Sequence, residues 1–177
     1  PSTLHTPPPR RCPPPEDMYL PLTADSGLIL DQLITNYLST SDFIPTLPAE
    51  RLRHRYAPGK WSIKDILVHI VDDERIFAYR ALRFARNEKL NLMGFDQNAY
   101  AREAEADARP LDAIFDEYEA VRHATIALFK SLPEHSLDRL GHGTGTANDA
   151  TPRALVYHIA GHELHHLQLL RPKIDHG

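Results

Sequence analysis

The sequence predicts an all-α fold, a four-helix bundle, preceded by a proline-rich tail. Four long segments carry apolar residues at spacings of three and four, which is typical of amphipathic helices, and no segment shows the alternation of a half-buried strand. The length of 177 residues suits one domain with a sizeable core. We therefore expect a tail over residues 1–24 and one helical domain over residues 25–172.

The predicted tail is dominated by proline. Prolines at 7–9 and 13–15 favour extended polyproline II and oppose helix, and no periodic apolar residues accompany them. We expect this segment to be disordered and outside the core. An uninvolved or wrapping terminus is the simpler interpretation, and a proline-motif ligand or tether is the alternative. The single cysteine, Cys12, lies here, so no internal disulfide is possible, which fits a reducing cytosolic setting.

The first two helices are predicted over residues 26–40 and 62–88. Ser62 is a suitable N-cap for the second, and Asp65 three residues later makes a variant of the capping box. The buried stripe of the second helix is expected to contain Ile63, Ile66, Leu67, Ile70, Glu74, Phe77, Ala78 and Ala81.

The third and fourth helices are predicted over residues 110–131 and 151–170. Pro110 suits the first position of the third helix. Thr151 is a suitable N-cap for the fourth, which is followed by a proline at its first helical position. We expect the fourth helix to end near residue 170, before Pro172.

Two loops lie between these helices. The loop over residues 89–109 is long for a compact domain, and loops of that length are usually functional or packed as a lid. The glycine-rich loop over 141–150 lacks the lysine of a phosphate-binding loop and is interpreted as a connector. If the protein is an enzyme, we expect Asp96, Tyr100 and Asn148 of these loops to shape substrate choice.

Composition argues against two classes of partner. The formal net charge is −4 and no helix face gathers lysine and arginine, so we expect no nucleic-acid partner and no polybasic membrane contact. No apolar run approaches the roughly 18 residues of a membrane span, and the first residues lack an apolar signal core. We therefore expect a cytoplasmic protein.

Four histidines lie within nine residues of the fourth predicted helix, at positions 158, 162, 165 and 166. On a helical period, His158, His162 and His166 stack on one face together with apolar residues. Burying several imidazoles among apolar side chains is costly unless something satisfies them. A divalent metal ion does so, since neutral imidazole is its commonest protein ligand.

The spacing of His162 and His166 lets two imidazoles bind one ion. His69, at the border of the buried stripe of the second helix, supplies a third ligand. Alone it would more often be a hydrogen-bonded core histidine. Three protein ligands leave a position for water or substrate, which is the arrangement of catalytic zinc sites.

Further side chains are candidates for the surroundings of this site. His158 is an alternate ligand, a partner of a ligand, a proton carrier or a hydrogen-bonded core residue. His165 points about 60° away from the ligand pair and lines the cavity or bonds elsewhere. Asp73 and its neighbour Asp72 lie one turn after His69, where a carboxylate orients a ligand imidazole, although either is equally suited to a solvated surface.

Residues 162–166 spell H-E-x-x-H, the motif in which a zinc protease uses the glutamate as general base. Only 11 residues follow His166, without a glutamate for a third ligand, and no strand signal predicts a peptide-holding sheet. A peptidase is therefore disfavoured. Glu163, at the edge of the stripe, remains a candidate for the pocket or for contact with a ligand.

Several of these segments together resemble the DinB-like superfamily, and in particular its branch of YfiT-like metal-dependent hydrolases. They are Gly-Lys-Trp-Ser at 59–62, His69, Phe-Asp-Gln-Asn-Ala-Tyr at 95–100 and the histidine-rich stretch 158–166. The resemblance covers roughly residues 25–172. It implies an up-down-down-up four-helix bundle, often a homodimer, that holds one divalent ion.

On this sequence the resemblance implies His69, His162 and His166 as the metal ligands. Zinc or nickel is expected first, with iron and manganese open. Relatives include transferases that use a low-molecular-weight thiol, whose thiol the metal would acidify. We predict a metal-dependent thiol S-transferase or small-molecule hydrolase, with no catalytic side chain assigned. The rival is a non-catalytic, metal-stabilised bundle that binds a small molecule or a partner.

Overall fold

The fold is known from a computed structural model that describes residues 29–55, 57–145 and 149–175, without the side chains of residues 169 and 171–175. The predicted tail, residues 1–24, lies outside the described residues. Within them the α-helices are, in chain order, α1 (Ile29–Phe43), α2 (Ala49–Leu52), α3 (Ile63–Ala85), α4 (Gln97–Glu103), α5 (Leu111–Ser131), α6 (Glu134–Leu137) and α7 (Pro152–Asp175).

The four long helices α1, α3, α5 and α7 form the predicted all-α bundle. Helix α3 packs against both α7 and α5, and α1 packs against the same two helices from the other side. Two apolar clusters fill the interior, one around Phe77 and Leu155 and the other around Leu67 and Ile114. No helix in the described residues is both long and apolar enough to span a membrane.

The predicted N-caps are confirmed for two of these helices. Asp65 N donates to Ser62 Oγ over 3.1 Å and Ser62 N donates to Asp65 Oδ2 over 2.9 Å, which completes the capping box of α3. Ala154 N donates to Thr151 Oγ1 over 3.2 Å at the start of α7. Pro110 is the N-cap of α5 and not its first helical residue, so α5 begins one position later than predicted, at Leu111. These local contacts fix where α3 and α7 begin.

The predicted end of the fourth helix near residue 170 is wrong, because α7 continues past Pro172 to Asp175. A proline removes one intrahelical hydrogen bond, but its backbone angle is itself helical, so the last turn persists. The 89–109 segment also differs from the predicted loop, since it contains α4 and a 3-10 turn over Ala106–Ala108. Asp96 caps α4, its carboxylate accepting from two backbone amides.

The two predicted loops meet at one end of the bundle. A two-residue antiparallel pair joins β1 (Gly141–His142) to β2 (Asp149–Ala150), a feature that the sequence did not predict. Leu92 N donates to the carbonyl of His142 over 3.0 Å, which ties the 89–109 segment to the same place. The buried Arg80 of α3 donates to the carbonyl oxygens of both segments. The smaller of the two cavities described below lies beside this end of the bundle.

Candidate metal centre

Three imidazoles from two helices converge on one point in the bundle. His162 Nε2 lies 3.2 Å from His69 Nε2 and 3.1 Å from His166 Nε2. Helix α3 supplies His69, and α7 supplies the other two one turn apart. His69 and His162 are buried, with exposed fractions of 4% and 6%, whereas His166 is half-buried. The structure therefore brings together all three predicted ligands.

The spacing of these nitrogen atoms suits a divalent ion. Zinc–imidazole bonds of about 2.0–2.1 Å in tetrahedral geometry place ligand nitrogens about 3.3–3.4 Å apart. The two Nε2 separations measured from His162 are close to that value. Each neutral imidazole can offer the lone pair of one ring nitrogen to a cation. The donor set thus fits a metal ion.

Asp73 orients the central imidazole of this cluster. Its Oδ2 lies 3.2 Å from His162 Nδ1 and 3.2 Å from His158 Nε2. The carboxylate lies within hydrogen-bonding distance of Nδ1, which favours the tautomer with its proton on Nδ1 and its lone pair on Nε2, facing the cluster. Asp72 instead lies half-buried, 3.8 Å from the guanidinium of Arg75. The structure therefore selects Asp73 over its neighbour, and it places His158 as the second partner of Asp73.

The electrostatic surroundings hold these groups in the protonation states that a metal site requires. Burial lowers the pKa of His162 to about 4, and burial with the neighbouring His162 and His69 lowers the pKa of His166 to about 2. Burial also lowers the pKa of His69. Burial alone would raise the pKa of Asp73, yet the imidazoles of His162 and His158 lower it to about 2. At neutral pH the three imidazoles are neutral and Asp73 is a carboxylate.

A second potential ligand set shares a residue with the first. Asp73, His158 and His162 also have ligand atoms close together, and all three are buried. Filling both sets at once would require His162 to bind through both ring nitrogens and therefore to lose its Nδ1 proton. The set of three Nε2 atoms has a half-buried member, His166, and therefore a direction that is open to solvent. We take it as the metal set.

Trp61 covers one side of the cluster. Its indole centroid lies 4.6 Å from the ring of His69 and 6.2 Å from that of His166, which it faces at 27°. Trp61 also lines a cleft of about 850 Å³ between the segment before α3, helix α4 and the turn over Ala106–Ala108. Sequence reasoning did not single it out as a site residue. Its signal was the position directly before the N-cap of a ligand-bearing helix.

A smaller cavity lies beside the same site. It has a volume of about 260 Å³, and its lining comprises Asp73, Phe77, Arg80, Gly94, Phe95, Asp96, Gln97, Asn98 and Gly145. Asn98 lines both cavities, so the start of α4 separates them. Asp96 thus lines the smaller cavity, although its carboxylate is engaged in capping α4.

The remaining candidates lie at the edge of the site or outside it. Tyr100 is half exposed and packs against Phe95, with ring centroids 5.0 Å apart. His165 is half-buried, its ring centroid 5.6 Å from that of His166. Asn148 lies outside the described residues. These positions place the side chains of Tyr100 and His165 at the edge of the site.

Glu163 points away from the cluster. It is fully buried, its Oε2 accepts from Arg122 Nη2 over 2.8 Å, and its Oε1 accepts from the hydroxyl of Tyr118. Neighbouring residues on a helix are 100° apart, so a glutamate that follows a core-facing ligand faces a different part of the interior. The carboxylate is enclosed by donors and is not placed to act as the base of an H-E-x-x-H protease.

Comparison with known proteins places this geometry in a family. A sequence profile of the DinB superfamily matches residues 32–170. A protein of Oceanobacillus iheyensis, named "Putative metal-dependent hydrolase OB0413", is 26% identical over 140 residues, which cover 78% of this chain and 79% of the relative. YfiT from Bacillus subtilis, described as a probable metal-dependent hydrolase with an unusual four-helix bundle topology, superposes with a TM-score of 0.69 at 14% identity and covers 97% of this chain and 94% of its own.

The structural likeness to YfiT supports the bundle fold, and the profile match extends over most of the chain. That match begins within α1 and ends within α7, so it includes all four long helices and the three clustered histidines. The chain belongs to the DinB superfamily.

Proposed function

We propose that this protein is a metal-dependent enzyme acting on a small molecule, either as a hydrolase or as a thiol S-transferase. The observation that carries the proposal is the convergence of His69, His162 and His166 through their Nε2 atoms, with Asp73 behind the central one. These three histidines would hold one divalent ion, with zinc or nickel expected first. The relative named above is called a "putative metal-dependent hydrolase", and the structural neighbour is described as a probable one.

The bound ion would lower the pKa of a coordinated water or thiol toward neutrality and so supply a nucleophile. The protein's own residues would orient the ligands and shield them from solvent. Asp73 holds the ring of His162 in one tautomer, and the indole of Trp61 shields one side of His69 and His166 from solvent. The 850 Å³ cleft beside Trp61 gives a small molecule room to approach this side of the bundle.

The rival role, a metal-stabilised binding module, would require a different number of protein ligands at the metal site. Structural zinc sites are closed by four protein ligands. Among the described residues, the set around His162 Nε2 contains three candidate ligands, His69, His162 and His166, and no fourth. This count favours a site with a position left for water or a thiol, and therefore favours catalysis.

The deciding experiment begins with metal content. Protein purified without chelator should carry about one divalent ion per chain, measured by elemental analysis, and His162→Ala should remove most of it. His165→Ala is the matched control, because it deletes a neighbouring half-buried histidine outside the Nε2 cluster and should keep the ion. Equal metal content in wild type and His162→Ala would refute the ligand assignment.

The second stage is an activity screen of the metal-loaded protein. Panels of small esters, amides and lactams test hydrolysis, and a low-molecular-weight thiol with an electrophile tests S-transfer. Activity should disappear on chelation, while circular dichroism shows an intact bundle, and should return with added metal. A metal-loaded protein that binds small molecules but turns over none of either panel would favour the binding module.

A further inference from the structure

A buried ion-pair network joins all four long helices next to the candidate metal centre. Arg122 of α5 donates to both carboxylate oxygens of Glu74 of α3 over 2.9–3.1 Å, and to Glu163 of α7 over 2.8 Å. It also donates to the carbonyl of Leu33 in α1. Arg122 and both glutamates are at most 1% exposed. Such a network fixes the positions of the helices. Its hydrogen bonds do not account for the second carboxylate, which leaves the network with a negative net charge.

The network carries one more negative charge than positive. Burial raises the pKa of Glu74 and Arg122 opposes that shift, and both oxygens of Glu74 accept from the guanidinium, as in an ionised carboxylate. Glu163 accepts from Arg122 and from Tyr118, a neutral donor whose pKa burial raises well above its usual value. Two carboxylates therefore face one guanidinium. An uncompensated buried charge is strongly destabilising, so a nearby cation is expected to balance it.

The network adjoins the metal centre along two helices. Glu74 follows Asp73 on α3, and Glu163 follows His162 on α7. The network therefore occupies the same helical turns that bring Asp73 to 3.2 Å from His162. Charges that face one another through the interior of a protein interact more strongly than they do in water.

We propose that the Glu74–Arg122–Glu163 network is a positioning and charge-balancing device for the metal centre. Three neutral imidazoles leave the double positive charge of a divalent ion unbalanced. Asp73 supplies one negative charge, and the surplus of the network supplies the other. The glutamate of the H-E-x-x-H stretch then serves the ion through its charge and not as a base. This inference rests on the proposed metal site.

The test is the metal affinity of Glu163→Gln. The affinities for Zn²⁺ and Co²⁺ are measured by competition with a chromophoric chelator, under conditions where circular dichroism shows a folded bundle. We expect binding about tenfold weaker than wild type, in the range seen when groups behind metal ligands are altered. The visible spectrum of the Co²⁺ form should keep its shape, since the three imidazoles remain. Glu74→Gln should also weaken metal binding, and it replaces Glu163→Gln as the test variant if Glu163→Gln does not fold.

Two controls separate charge from structure. Tyr118→Phe removes a donor to Glu163 but no charge, so it should lower the melting temperature and leave metal affinity within twofold of wild type. Glu117→Gln removes one negative charge from a surface cluster with Arg75 and Arg109, and its affinity should also stay within twofold.

Three results would overturn the proposal. The first is a Glu163→Gln affinity within twofold of wild type, the second is an equal loss in Tyr118→Phe, and the third is an equal loss in Glu117→Gln. A wild-type protein that binds neither Zn²⁺ nor Co²⁺ would instead reject the metal site itself. The two failures are therefore distinguishable.

Discussion

The carboxylate of Asp73 on α3 lies 3.2 Å from Nδ1 of His162 on α7, while the opposite nitrogen of the same ring faces His69 and His166. One side chain of α3 thus sets the tautomer of a ring on α7, and a second, His69, meets that ring's free lone pair. The α3–α7 contact is the part of the bundle on which the proposed chemistry depends.

We expect Asp73→Asn to weaken metal binding about 10- to 100-fold, as is usual for the partner of a ligating histidine. An amide no longer supports the positive character that a metal-bound imidazole gains. Asp72→Asn is the matched control, because Asp72 lies near Arg75 and should leave affinity unchanged. Chelator competition measures both. Equal affinities for the two variants would show that the Asp73 contact does not support the site.

We expect the metal-free protein to lose stability as the pH falls from 7 to 5. Burial lowers the pKa of His162 to about 4 and that of His166 to about 2, whereas the same residues in the unfolded chain bind protons near pH 6.5. Below pH 6.5 the unfolded state binds more protons than the folded state, so the free energy of unfolding decreases as the pH decreases. Each of the two histidines should contribute roughly 1–2 kcal/mol between pH 7 and 5.

Urea unfolding of chelator-treated protein at several pH values measures this slope. His166→Gln should reduce it, because one of the groups that titrates in the unfolded state is gone. His123→Gln, which replaces an exposed histidine of α5, serves as the control and should keep the slope of the wild type. A free energy of unfolding that is flat between pH 7 and 5 would contradict the prediction.

The fluorescence of Trp61 should report metal binding directly. It is the single tryptophan of the chain, and its ring centroid lies 4.6 Å from that of His69. A paramagnetic ion such as Ni²⁺ or Co²⁺ bound at the cluster should quench most of its emission, and Zn²⁺ should quench far less. The titration should saturate at one ion per chain in wild type and be lost in His162→Ala. Undiminished quenching in that variant would place the ion elsewhere.

We expect a homodimer, which is a prediction from the family resemblance. Light scattering at micromolar concentration should give about twice the chain mass of 20.1 kDa. A candidate contact surface is the mostly apolar groove between α3 and α5, which Tyr79, Leu82 and Leu128 help to line. Tyr79→Glu should then raise the dissociation constant of the dimer, while Tyr100→Glu, at the cavity end, should not. A monomer across the concentration range would reject the prediction.

Much of this protein could be predicted from its sequence because helices are local. Apolar spacing identified the four long helices, and cap residues such as Ser62 and Thr151 marked where two of them begin. A period of 3.6 residues was enough to align His162 with His166 on one face. It also identified His69 as a residue near the buried stripe of its own helix.

What the sequence could not decide was how one helix lies against another. A helical period gives the angle between Asp72 and Asp73 or between His162 and Glu163, but not which of each pair faces the neighbouring helix. The rotation and register of α3 against α7 brought Asp73 to His162 and left Asp72 near Arg75. The same packing turned Glu163 away to Arg122.

Local patterns alone therefore determined the helices and the candidate ligands. The tertiary structure decided which carboxylate orients the ligand, which residue covers it and which glutamate belongs to a buried charge network. The physical reason is the distance along the chain over which each interaction acts. Capping and periodicity act within one or two turns of a helix, whereas the convergence of three imidazoles depends on residues 93 positions apart meeting across a helix interface.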